Sequence, residues 1–456
     1  MTNAKEEKLQ KNLGLFDAIA IVIGMVIGSG IFFKPAIVFK NAGSPTLGVV
    51  AWLVGGIITL ASGLTVAEIA AAIPKTGGIF VYIKELYGEK AAFLLGWVQS
   101  IIYVPGSAAA LAIILSTQIT SFIPLTVTEQ KILAIAFIVF IMILNIISTK
   151  LVSKMQGIIT IAKLIPIIAI IALGFIKGTA KGITLDISSS TSTISGFGAA
   201  LLGTLWAYDG WISVGNMAGE LKNPKKDLPR SIIIGLGTTI IVYVFINLAL
   251  IKIIPMDVII ASEKPASDAA VVLLGSTGAK IISAGILIAI FGALNGYLMT
   301  GVRIPLAMSQ DNIIPFSNFF SKVHKKSGTP VNAFIFESVL ACLYVLSGSF
   351  NILTDLVMFV LWLFFTMTVA GIFVLRTKFK HLERPYKVPL YPIIPLIGII
   401  GSVYIIISTV ITNTLYAICG IVITLIGIPI YNYMKKKNLK VTNSLKSIVN
   451  NHDEVS

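Results

Sequence analysis

Apolar residues gather along this chain into long stretches separated by short polar ones. Within a few residues either way, the stretches cover 13–39, 46–72, 91–121, 132–148, 155–176, 195–219, 231–254, 281–308, 331–347, 351–375, 393–411 and 414–434. Each is near or above the ~20 residues a helix needs to cross ~30 Å of hydrocarbon, and none shows the ~10-residue alternation of a membrane barrel strand. The pattern predicts an all-α integral membrane protein with twelve transmembrane helices, the fourth and ninth being the shortest.

Two stretches are interrupted where a crossing should be continuous. In "VIGSGIFFKP", residues 26–35, Gly28 and Gly30 flank a serine, and each glycine weakens a helix by roughly 1 kcal/mol relative to alanine. In "GTLWAYDGW", residues 203–211, Asp209 and Gly210 fall in the middle of the sixth stretch. Stretches one and six are five apart and run opposite ways if crossings alternate, as expected of the first members of two inverted five-helix repeats. Broken helices at matching places point to a transport site at the membrane midplane. Ordinary close packing of helices at glycine is the plainer alternative.

Composition fixes the setting. Hydrophobic residues make up 56% and charged residues 12% of the 456, with a mean hydropathy of +0.93, far from the roughly 45–50% and 25% of soluble domains. A bundle of this size reads as one unit. The predicted division is a tail at 1–12, a single transporter domain at 13–434 and a basic tail at 435–456. Within the domain, repeat one covers about 13–176, repeat two about 195–375 and two further helices about 393–434. Of the 35 lysines and arginines, 26 fall on the side of the N-terminus, eight on the other, and Lys163 lies within a helix. Lysine and arginine favour cytoplasmic loops, which predicts both termini in the cytoplasm of a plasma-membrane protein.

The net charge of +15 is therefore a matter of topology. The cations sit in separate loops without the aromatic-interleaved stripe of a nucleic-acid surface, and Lys435, Lys436 and Lys437 are placed to rest on anionic headgroups. The polar first dozen residues lead straight into a full-length stretch, unlike a cleavable signal peptide. Cys342 and Cys419 lie inside apolar runs and read as packing residues, with no disulfide or zinc pattern. His324, His381 and His452 fall in loops or the tail, and no H-E-x-x-H, G-x-S-x-G or Walker sequence is present, which argues against a membrane enzyme. No repeated filter or ring of like charges marks a channel.

Longer motifs carry a resemblance. "GLFDAIAIVIGMVIGSGIFFKP" from Gly14 to Pro35, "AEIAAAIPKTGGIFVYI", "LWAYDGW", "GELKNPKKDLPRSI" and "FSNFFSKVHKKSGTP" follow one another through most of residues 10–390. In this order the chain resembles the amino acid–polyamine–organocation superfamily. Within it, the chain is similar to the L-type amino acid transporter family, near its bacterial alanine/serine/cysteine and serine/threonine exchangers. The resemblance implies a leucine-transporter-type inverted repeat with broken helices 1 and 6, and movement of L-amino acids by alternating access with no metal, nucleotide or other cofactor.

The residues at the breaks agree with that expectation. Free amides of Ser29, Gly30 and Ile31, at the start of the second half of helix 1, suit an α-carboxylate. The resemblance puts carbonyl acceptors for the α-ammonium at Val26, Trp206 and Asp209. It also makes Trp206 an aromatic gate, where the alternative is an interface-belt tryptophan. Asp209 reads as an N-cap of the second half of helix 6, which leaves a pocket for neutral substrates; as a side-chain ligand it favours lysine or arginine. Lys163, eight positions into helix 5, stands where the resemblance puts a lysine in place of a sodium ion, in contact with the unwound part of helix 1. Tyr243 on helix 7 resembles a substrate-binding position. Glu68, Glu220, Lys222 and Arg230 read as gate or loop-positioning charges, or as solvated ones.

Two departures from the family pattern matter. Ser309, Gln310, Asp311 and Asn312 replace the common S-R-D-G, removing an arginine from any latch there, and "SFIPLTVTEQ", residues 121–130, lacks the cysteine that links animal relatives to a heavy chain. The expectation is a sodium-independent exchanger of neutral amino acids without a disulfide-linked partner. The alternative is an exchanger or proton-linked carrier that also accepts cationic ones.

Overall fold

The computed structural model describes residues 13–75, 78–180, 194–216, 221–324 and 329–453. The N-terminal tail and Glu220 lie outside them. The first apolar stretch forms α1 (Leu15–Val26) and α2 (Gly30–Ala42), bent by 49° at the three residues between. The second and third form α3 (Pro45–Ala72), a short helix α4 (Gly78–Tyr87), and α5 (Glu89–Val98) continued through a π-helical turn at Gln99–Tyr103 into α6 (Val104–Ile119). Helices α7 (Val127–Ala162) and α8 (Leu164–Lys177) follow, then α9 (Ile194–Ala207), α10 (Ser213–Asn216) and α11 (Pro224–Ile253). The remainder is α12 (Met256–Ala261), α13 (Pro265–Gly301), α14 (Arg303–Gln310), α15 (Ser317–Phe320), α16 (Val331–Ser347), α17 (Phe350–Lys378), α18 (Ile393–Thr412) and α19 (Thr414–Asp453).

Among the described residues there are eight helices long and apolar enough to cross a membrane, nine with the bent pair, and shorter apolar helices at Leu164–Lys177, Ile194–Ala207 and Val331–Ser347. Every predicted crossing therefore has its helix. The boundaries differ where backbone chemistry decides. No loop separates stretches four and five: "TKLVSK", residues 149–154, contains no glycine or proline, and the backbone stays helical to Ala162. The interruption comes at Lys163, because Pro166 has no N–H to give the Ala162 carbonyl. Helix α11 starts seven residues before the predicted 231, with Pro224 in its first turn. The segment expected as a basic tail continues α19 as helical backbone to Asp453.

The bend in the first crossing gives its two halves different neighbours. Helix α1 lies along α11, and α2 lies along α9. Gly30 makes the second contact: a Cβ there would stand 2.6 Å from Ala207 Cα, whereas one at Gly28 would meet nothing closer than 3.9 Å. Gly210, after α9, has φ +101° and faces the Met25 carbonyl, so a side chain is excluded twice over. The two interruptions are thus packed directly against each other at the centre of the bundle.

At one end, the fully buried Glu68 of α3 accepts from Arg376 Nε at 3.0 Å and Nη2 at 2.7 Å, and from the Val388 amide at 2.7 Å. Arg384 stands 3.6 Å away, and Arg376 lies over the Tyr391 ring. Glu68 is therefore a loop-positioning charge that ties α3 to α17 and the segment after it. Lys222 contributes its backbone, its amide meeting the Leu13 carbonyl at 2.9 Å, while the Arg230 side chain is exposed. Cys342 is half-buried, and Cys419 is exposed on α19 rather than packed.

Candidate functional site

Helix α1 ends because Ile27 leaves helical geometry, with ψ at 91°. The Gly24 carbonyl then loses the amide four residues on that it would have met. Lys163 supplies the replacement. Its side chain is only 4% exposed, and its ammonium donates to Gly24 O. The ammonium meets the last turn of α1, on the helical side of the break, whereas the sequence placed the contact on the unwound residues themselves.

Helix α2 begins at Gly30, and the first of its amides to find a backbone acceptor is that of Phe32, 3.0 Å from Ser29 O. Ser29, Gly30 and Ile31 therefore stand at a helix start, and all three residues are buried; among the described residues the Ser29 hydroxyl has no hydrogen-bond partner. The carbonyl side is more occupied than the sequence suggested. Tyr243 OH lies 2.9 Å from Val26 O and 2.8 Å from Ala207 O. It is fully buried and packed against Trp52 and Tyr208, so it joins the two breaks instead of lining open space. Among the described residues, Trp206 O meets only the Asp209 amide, at 3.4 Å.

Asp209 does not cap a helix. Helix α10 starts four residues later, and Asp209 Oδ2 accepts from Tyr103 OH at 2.7 Å and Tyr297 OH at 2.8 Å. Tyr103 reaches it from the π-helical turn, a local widening that recurs at functional sites, and Tyr297 from α13. Trp206 stacks on Tyr297 with ring centroids 6.3 Å apart and planes 8° apart, and stands edge-on to Phe350 at 6.1 Å. Phe350 meets Phe33 edge-on at 6.2 Å. These two phenylalanines line a cavity of about 390 Å³ together with Ile37, Lys40, Gln130 and Asn351, among others. Trp206 touches the cavity-lining Phe350 without itself lining the cavity, and it is buried inside the bundle.

Several of these residues were not singled out in the sequence: Tyr103, Tyr297, Phe33, Phe350 and Lys34. Lys34 counted among the eight cations of the outer side, yet it is 0% exposed. Its ammonium bonds Thr354 Oγ1 at 2.6 Å, Asn351 Oδ1 at 3.2 Å and Asp355 Oδ1 at 3.3 Å, and lies 5.2 Å from the Phe350 ring centre. The available signal was a lysine one turn after the break and "NILTD" at the start of the tenth stretch. Where the S-R-D-G arginine is missing, Lys84 and Asp311 stand 3.8 Å apart. No cluster that could hold a metal occurs among the described residues.

The geometry is a pair of broken helices with amides at one break, carbonyls at both and a lysine fixing the first. The family model for amino acid permeases matches residues 13–436. The chain belongs to the amino acid permease family. It is 41% identical over 436 residues to the serine/threonine exchanger SteT of Bacillus subtilis, covering 95% of this chain and 99% of that protein. It is 31% identical to the mouse b(0,+)-type amino acid transporter 1, covering 95% and 90% of the two chains. It is also 31% identical to the mouse large neutral amino acids transporter small subunit 2, covering 93% and 81%. The permease is thus a multi-pass membrane protein of the amino acid–polyamine–organocation superfamily and a secondary transporter of amino acids, not an enzyme.

Proposed function

We propose that this permease exchanges small neutral L-amino acids across the plasma membrane by alternating access, without sodium and with both termini in the cytoplasm. The observation that carries this reading is the Lys163 ammonium at the Gly24 carbonyl. A tethered cation already serves the carbonyl exposed by the break, so a free cation has no vacancy to fill there. The substrate carboxylate is received by the amides of Ser29, Gly30 and Ile31, where the dipole of α2 is positive. Its ammonium is received by the carbonyls of Val26, Trp206 and Asp209; a carbonyl has two lone pairs, so Val26 O can accept while Tyr243 holds it. Tyr243 keeps the two breaks in register, and Trp206, with Phe33 and Phe350 above it, closes the way to the cavity.

The name of the Bacillus relative, similar over almost the whole of both chains, supports a small hydroxylated or otherwise neutral substrate. The absence of cysteine in residues 121–130 supports transport without a disulfide-linked partner, although one relative is named as a small subunit. Counterflow into proteoliposomes with a panel of labelled amino acids tests the reading. Labelled serine or threonine should enter only when a neutral amino acid is trapped inside, equally in sodium and choline buffers. Strict sodium dependence, or accumulation in empty liposomes under a pH gradient, overturns it.

A further inference from the structure

A carboxylate at the centre of a membrane protein normally belongs to a cationic partner. Among the described residues, no cationic one is in contact with Asp209. Both of its hydrogen-bond donors on Oδ2 are neutral phenols, Tyr103 OH at 2.7 Å and Tyr297 OH at 2.8 Å. Oδ1 is shut off from solvent and has no hydrogen-bond partner among the described residues, and the residue as a whole is 4% exposed. The two phenol rings stand 5.7 Å apart, and the Tyr297 ring is covered by Trp206. Tyr297 thus touches both Trp206, on which its ring stacks, and the carboxylate, to which its hydroxyl donates. A side chain that reaches Asp209 meets a carboxylate whose Oδ2 is already taken by both phenols.

We infer that Tyr103 and Tyr297 are specificity-determining residues, which mask Asp209 from cationic side chains and restrict the permease to neutral ones. This rests on the proposed transport site between the two breaks. The masking works in two ways. Two hydroxyls supply the carboxylate with hydrogen bonds that a lysine ammonium or guanidinium would otherwise offer, so a cationic side chain gains less by arriving. The rings occupy the volume that the long stem of such a side chain needs. Specificity of this kind is a difference between two substrates set by what the site withholds as well as by what it offers.

Removing the hydroxyls while keeping the rings separates the two effects. In Tyr103→Phe/Tyr297→Phe the carboxylate is stripped of both donors, and lysine or ornithine becomes the better donor to it. Exchange of labelled lysine, measured against labelled serine in the same proteoliposomes, should rise at least ten-fold in ratio over wild type, with each single variant between. Adding Asp209→Asn to the double variant should return the ratio to the wild-type range, which a merely loosened pocket would not do. An unchanged ratio in a double variant that still exchanges serine overturns the masking alone, whereas a wild type that exchanges no amino acid overturns the transport reading beneath it. If the double variant does not insert, competition decides on the wild type: excess lysine should leave serine exchange unaffected, and strong inhibition by lysine overturns the inference.

Discussion

Lys163 and the glycines beside it show how single residues define this site. The lysine serves a carbonyl that the end of α1 leaves without an amide, and a buried acceptor left unsatisfied costs about 1–3 kcal/mol. Lys163→Ala should therefore lower exchange several-fold, equally in sodium and choline, while the protein still inserts; full activity of the variant in liposomes would remove the residue from the mechanism. Gly30 and Gly28 make a contrasting pair. A valine at Gly30 would overlap the Ala207 backbone, where overpacking costs on the order of 1–3 kcal/mol. Gly30→Val should thus reduce the yield of monodisperse protein in detergent, whereas Gly28→Ala should be recovered like wild type. Loss of transport in Gly30→Val consequently reports on packing as well as on substrate approach.

At the scale of elements, the predicted crossings matched helices because apolar length is set by the bilayer and is written continuously in the sequence. The breaks in stretches one and six were legible too, since the interruptions recur at matching places five stretches apart, which close packing at glycine alone does not require. What was not legible depends on contacts between elements distant in the chain. Asp209 read as a cap because its own neighbours suggested one; its actual donors come from α13 and from a π-helical turn that leaves no mark in "VQSIIYVPG" beyond a proline. Lys34 read as an outer-side charge because Asp355 lies 321 residues away. The lysine and its partners hold α2 to α17 next to the cavity, and Glu68 holds α3 to α17 at another end of the bundle. Glu68→Gln leaves Arg376 without its carboxylate. Arg376 is partly solvated, so the loss should be nearer 2 than the 3–5 kcal/mol of fully buried pairs, and thermal unfolding in detergent should show a lowered midpoint.

For the molecule as a whole, Phe33 and Phe350 line the cavity, while Trp206 and the residues of the first break, Ser29, Gly30 and Ile31, are buried and do not line it. The proposed orientation, with both termini in the cytoplasm, would place that cavity outside the cell. In a Cys419→Ser background, which removes the exposed native thiol, Gln130→Cys should react with an impermeant maleimide added to intact cells, and Ser29→Cys should not. Labelling of Gln130→Cys only after the membrane is permeabilised would invert the assigned orientation.

Tyr243 places one hydroxyl within reach of two break carbonyls. A phenol has a single proton to give, so at any instant either Val26 O or Ala207 O goes without it, and the resting protein runs a deficit of one donor. An α-ammonium arrives with three. Binding is then a change in proton supply at the pivot of two helices, and the loaded protein should be the stiffer one. Unfolding temperature offers a direct measure: serine should raise it, and the corresponding 2,3-dihydroxy acid, which brings the same carboxylate but a hydroxyl in place of the ammonium, should raise it far less.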